Sequence, residues 1–219
     1  MRLSSLVPAA LVLCLSWPVF AAEWIEYSNQ PDRFIVNFPA QPTVQDTTWK
    51  TEFGLTLPGR VHTSVDGASR FSVTVVDYSN VQKIHAARVK GCTGYPDTCG
   101  NPAAGELRGA LDYAVSGFIT RDAKVTYYAY ANSDRIEGRR VQLTNPDKSR
   151  TFAAIYMHEN RLYILEGTVP AAAVPPALFQ QSMGFYDKAG VRVRYSQMYS
   201  NAYPAPGREP GSGRFAGCE

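Results

Sequence analysis

The sequence predicts an α+β fold, a single antiparallel sheet of about seven strands flanked by helices on both faces. Three observations predict it. Runs with period-2 alternation occur in two blocks, before and after one long segment of helical period. Turn formers separate the runs at Asp66-Gly67, Asn145-Pro-Asp147 and Glu159-Asn160. Arg161–Val169 is apolar on both faces at Leu162, Tyr163, Ile164 and Leu165, as in a central strand covered from both sides.

Each element has its own warrant. Phe34–Phe38 alternates Phe34, Val36 and Phe38 toward a core, and Pro39 stops it; the ordered part is expected to begin here. Thr43–Phe53 is β-branched and aromatic, hence a strand. Gly59–Asp66 alternates Val61, Thr63 and Val65 against His62, Ser64 and Asp66. After the Asp66-Gly67 hairpin, Arg70–Asp77 alternates Phe71, Val73 and Val75 against Ser72 and Thr74.

Ser79-Asn80 then caps a short helix reaching about Val89. Asn101-Pro102 pairs an N-cap with a proline at the first helical position. From there Leu107, Ala110, Leu111, Ala114, Val115, Phe118 and Ile119 fall on one stripe, with Arg108 and Asp112 facing away. Further strands are expected over Ala123–Ala131, Arg135–Thr144, Arg150–His158 and Arg161–Val169. A last helix starts at Pro175-Pro176 and runs to about Met183. Residues 191–219 are expected to be a largely flexible tail, because their end is rich in Gly, Pro and Arg; disorder is expected from about Ala202.

The first 21 residues have the layout of a secretory signal peptide: Arg2, an apolar run from about Leu6 to Phe20, and small residues at the exit. Val19 and Ala21 place the expected cleavage after Ala21. Leu13 before Cys14 argues against a lipoprotein, and no later segment is apolar and long enough to span a bilayer. Residues 22–190 would then form the exported, periplasmic or secreted α+β domain. The net charge is +3, and loss of Arg2 with the leader lowers it by one. So small a charge gives no reason to expect nucleic acid as a partner.

Export decides the reading of Gly91-Cys-Thr-Gly-Tyr-Pro-Asp-Thr-Cys-Gly100. Two close cysteines in an oxidising compartment pair, so Cys92 and Cys99 are expected to form a disulfide. Metal sites call for ligands two to four apart with a second pair, and redox pairs read Cys-x-x-Cys; this loop has neither. Closing so small a ring stabilises by about 2.5 kcal/mol in the loop-entropy picture. Tyr95 would sit at the tip. Cys218 is left over, as a free thiol or an interchain cross-link.

Three phrases carry a resemblance: "RFIVNFPAQP", "NRLYILEGTVP" and "PPALFQQSMGFYD", the last with Phe179, Ser182 and Phe185. With strands before and after one long helix, the chain from about Phe34 to Asp187 resembles the PsbP-like α/β/α sandwich superfamily, most of all its exported bacterial members of unknown function. The superfamily has no common catalytic residue set, and its understood members act as accessory or partner-binding proteins. The resemblance therefore implies binding rather than chemistry.

The residues agree with that implication. No Gly-x-Ser-x-Gly, His-x-x-Glu-His, P-loop or dinucleotide fingerprint occurs. His62, His85 and His158 lie on different elements and read as solvated or singly bonded. Ser182, His158 and Asp187 can be drawn as a triad, but without a strained nucleophile turn. No cofactor or metal is expected. Tyr127, Tyr128, Tyr130, Tyr156 and Tyr163 read first as sheet packing, and alternatively as a binding face with nearby Arg135, Arg139 and Arg140. Tyr95, Tyr128, Tyr130, Arg139 and Arg140 form the candidate interaction surface. Arg192, Arg194, Arg208 and Arg214 read as solvated decoration of the tail, and alternatively as weakly attracted to an acidic wall or membrane surface. The expected function is a non-catalytic accessory or protein-interaction module; the alternative is a carrier of a small amphipathic ligand between sheet and helix.

Overall fold

A computed structural model describes residues 24–94, 100–201 and 204–210. In chain order the elements are β1 (Ile25–Asn29), β2 (Phe34–Phe38), β3 (Thr43–Lys50), β4 (Thr56–Asp66), β5 (Ser69–Asp77), α1 (Val81–Lys90), α2 (Ala103–Ile119), β6 (Lys124–Ser133), β7 (Ile136–Thr144), β8 (Arg150–His158), β9 (Arg161–Val169), α3 (Ala177–Gln181), β10 (Gly184–Tyr186) and β11 (Arg192–Val193). The α+β class holds, but the single sheet is corrected to two. A seven-stranded antiparallel sheet runs β3-β4-β5-β9-β8-β7-β6, and a four-stranded one runs β1-β2-β10-β11.

The period of the strands explains the layering. Along β8, Ala153, Ile155 and Met157 enter one hydrophobic cluster, while Phe152, Ala154 and Tyr156 enter another. Along β9, Leu162 and Ile164 join the first and Tyr163 and Leu165 the second. The first cluster is closed by α2 through Ala110, Leu111, Ala114, Val115 and Phe118. The second is closed by the small sheet and α3 through Phe34, Val36, Phe38, Phe179 and Phe185. Both faces of the large sheet are therefore covered, and each fully buried large side chain contributes about 1.5–3 kcal/mol. Helices do lie on both faces, but α3 shares its face with the four-stranded sheet.

Four further expectations are corrected. Order begins before Phe34, because β1 pairs with β2 from Ile25↔Phe38 to Asn29↔Phe34. Only Tyr27 of β1 is buried, so the strand offers almost no hydrophobic period to read. The residue after the expected boundary at Gly190 is not the start of a loose tail. Val193, Tyr195 and Tyr199 belong to the core, and the Tyr195 and Tyr199 rings stack at 4.8 Å. The disorder expected from Ala202 falls partly on residues 202, 203 and 211–219, which lie outside the described residues. The expected cap of α1 is replaced: Asn80 makes no side-chain cap bond, and Ser79 bonds to Asp77 instead. At α2 the expected cap is shifted by one residue: Pro102 takes the N-cap position without a side-chain cap bond, and Asn101 before it accepts the Ala103 N–H at 3.0 Å.

Candidate functional site

The candidate surface is set by the register of β6 on β7. Tyr128 lies opposite Val141, and Tyr130 opposite Arg139. Directly opposed residues share a face, so Tyr128, Tyr130 and Arg139 project together on the α2 side of the sheet. Ala129 is opposite Arg140, which sends Arg140 to the other face. The expected five-residue surface is thus split: adjacent strand residues cannot point the same way.

The surviving trio is a built arrangement. The Arg139 guanidinium lies 5.6 Å from the Tyr130 ring centroid, within cation–π range. Arg139 Nη1 donates to Glu137 Oε1 at 3.1 Å and to the Gly138 carbonyl at 3.0 Å. Its Nε lies 3.4 Å from Asp112 Oδ1 of α2, which ties the edge of the sheet to the helix. Desolvation and the nearby Glu137 carboxylate push the Tyr130 phenol above its ordinary pKa, so it stays a neutral donor. Tyr128 and Tyr130 are about half exposed, at 50% and 56%. Tyr127 is exposed too, whereas Tyr156 and Tyr163 are core residues, as the packing reading expects. Strand β6 ends the large sheet, so its outer backbone edge has no strand beside it among the described residues.

Cys92 is disulfide-bonded. Cys99 and Tyr95 lie outside the described residues, as does Cys218.

All three histidines are buried, which corrects the solvated reading; His85 and His158 fit the singly bonded one, and His62 is bonded at both ring nitrogens. His62 Nε2 meets Asp32 Oδ2 at 2.8 Å and Nδ1 meets the Tyr27 hydroxyl at 3.1 Å. Asp32 also accepts from Arg60 Nε at 2.8 Å. Burial raises the Asp32 carboxyl, but hydrogen bonds from His62 and Arg60 outweigh it and hold the pKa below the ordinary value. Both ring nitrogens of His62 are occupied within the core, so this network pins the β1–β2 turn to β4 and presents no reactive atom to solvent. His85 of α1 bonds Glu106 of α2 in the interior. His158 Nε2 meets the Tyr195 hydroxyl at 2.9 Å.

The drawn triad is not assembled. The Ser182 hydroxyl accepts from Asn37 N at 2.8 Å and donates to the Phe179 carbonyl at 3.3 Å, while Asp187 pairs with Arg208 at 2.7 Å. Among the described residues no group of three His, Cys, Asp or Glu side chains is placed to hold a metal ion. No helix among them is long and apolar enough to cross a membrane.

No family model and no curated protein matches the chain. Among solved structures it is similar to the solution structure of cyanobacterial PsbP (CyanoP) from Synechocystis sp. PCC 6803, at 12% identity and a TM-score of 0.43, over 80% of this chain and 99% of that one.

Proposed function

We propose that the chain is an exported, non-catalytic interaction module that engages a protein partner at the β6 edge. The observation that carries this reading is the pair of half-exposed tyrosines, Tyr128 and Tyr130, on a terminal strand and braced by Arg139. Tyrosines supply rigid amphipathic area at low entropic cost, and an open edge supplies backbone donors and acceptors for an extended partner segment. Lys124 and the register shift between Val125 and Tyr127 guard the start of the strand; residues 128–133 continue in regular pairing. Export through the leader, cleavage after Ala21 and a Cys92–Cys99 bridge complete the reading.

An amphipathic ligand beneath α2 draws little support. The cavity bounded by Leu107 and Leu111 of α2, Arg139 and Met157 measures about 90 Å³. Sites for organic ligands run from about 300 Å³ upward.

The test is a capture experiment from the native envelope with the processed protein and its Tyr128→Ala/Tyr130→Ala variant. A specific partner retained by the wild type should fall at least about tenfold with the variant, as loss of two interface tyrosines predicts. Equal recovery by both proteins rules the edge out as the docking site.

A further inference from the structure

Arg140, turned away from the tyrosine face, points to a second site. It lines a polar cavity of about 350 Å³ between the two sheets, where the β6–β7 hairpin, α3 and β11 meet. Three buried donors on its wall are left unused among the described residues: Arg140 Nε and Gln180 Nε2 meet no hydrogen-bond partner, and the Tyr156 hydroxyl meets no acceptor. Tyr156 is fully buried and Gln180 is 8% exposed. The Arg140 guanidinium faces the Tyr156 phenol, but a guanidinium has no acceptor atom. The phenol proton therefore has no acceptor there. Buried donors left in this state are costly, and folded proteins supply them with an acceptor.

Charge names the kind of acceptor. Arg192 and Arg194 also line the cavity, against one carboxylate, Asp134. Asp134 Oδ1 takes Arg194 Nη2 at 3.1 Å, and its Oδ2 lies 3.7 Å from Arg192 Nη2. Glu209 lies 3.9 Å from Arg194 Nε, outside the cavity lining. Arg140 and Arg194 alone outnumber the one carboxylate on the wall. The wall is donor-rich, which disfavours a metal cation and favours oxygen atoms carrying negative charge.

Two glycines show that the backbone makes room for these side chains. A Cβ at Gly138 would lie 2.4 Å from the Tyr156 ring, so only glycine lets that ring lie across β7. A Cβ at Gly184 would lie 2.8 Å from Arg192 Nη2.

We propose that this cavity binds a small oxyanion, a carboxylate or phosphate, held by Arg140, Tyr156 and Gln180 with the more exposed Arg192 and Arg194 beside them. The reading is independent of the β6 edge, since it uses the opposite face of the sheet.

Calorimetric titration of the full exported chain with inorganic phosphate and, separately, with succinate tests it at neutral pH and low salt. At least one should bind saturably, and the stronger of the two identifies the oxyanion. Arg140→Gln and Tyr156→Phe should each weaken that binding at least about tenfold, while Arg139→Gln, on the other face, leaves it unchanged. Thermal unfolding in anion-free buffer supplies a second readout. Tyr156→Phe should melt at or above the wild-type temperature, because the hydroxyl it loses has no acceptor. Failure of both anions to saturate, wild-type affinity in Arg140→Gln, or a lower melting temperature for Tyr156→Phe without anion would each overturn the proposal.

Discussion

At the residue scale, His158 shows how a side chain of ordinary pKa becomes a stability determinant. Burial pushes its imidazole down to about 3, and the positive charges of Arg208, Arg33 and Arg161 act in the same direction. The folded state holds it neutral, while the unfolded chain protonates it near its ordinary value of 6.5. The stabilisation is therefore complete above pH 6.5 and is lost as the pH falls from there toward 3. Below 6.5 the loss runs at about 1.4 kcal/mol per pH unit. Urea unfolding at pH 7 and pH 5 should show the wild type losing about 2 kcal/mol more than His158→Gln over that interval. Parallel losses in the two proteins would mean that the imidazole is not held neutral. None of this was legible in the sequence. A histidine's burial depends on which strands and turns converge on it, and His158 meets Tyr195 from a segment read as tail. His62 likewise meets Asp32 from a turn before the first expected strand.

At the element scale, what could be read depended on length and period. Helix α2 buries Ala110, Leu111, Ala114, Val115 and Phe118 at helical spacing, β4 and β5 run nine or more residues so that their alternation stood out, and β9 was legible as a nine-residue run apolar on both faces. Strands β10 and β11 have three and two residues, too few to show any period. The split of Arg139 from Arg140 was legible, because adjacent residues of a strand face opposite ways; treating the tyrosines and arginines as one patch ignored that rule. Gly138 carries a second element-level signal. It lies on β7 opposite Tyr156 of β8, and the ring occupies the space over it. Gly138→Ala would place a methyl 2.4 Å from the ring and 2.5 Å from the Ile155 carbonyl oxygen, which is backbone and cannot swing aside. The expected cost is about 1–3 kcal/mol, read as a lower urea midpoint with an unchanged slope. A midpoint equal to the wild type would show that β7 and β8 part easily at this position.

At the scale of the whole molecule, the chain closes on itself through residues read as tail. The Arg135 guanidinium donates to the Tyr195 and Ser196 carbonyls at 2.8 and 2.6 Å, and Tyr199 N donates to the Arg135 carbonyl at 2.8 Å. The Tyr199 hydroxyl accepts from Glu159 N at 3.0 Å, while its ring meets His158 edge-on. Tyr199 thus joins the β6–β7 and β8–β9 hairpins of the large sheet, and its stacked neighbour Tyr195 lies two residues beyond β11 of the small one. Two sheets that share one core and such a clasp should unfold as a single unit. Tyr199→Ala removes the stack and the hydroxyl bonds together, at an expected cost of about 3–5 kcal/mol. Because the clasp serves both sheets, native-state hydrogen exchange should show β2 and β9 amides losing protection by the same amount. Loss confined to β2, with β9 unchanged, would mean that the four-stranded sheet opens alone and that the large sheet with α2 is the independent folding unit.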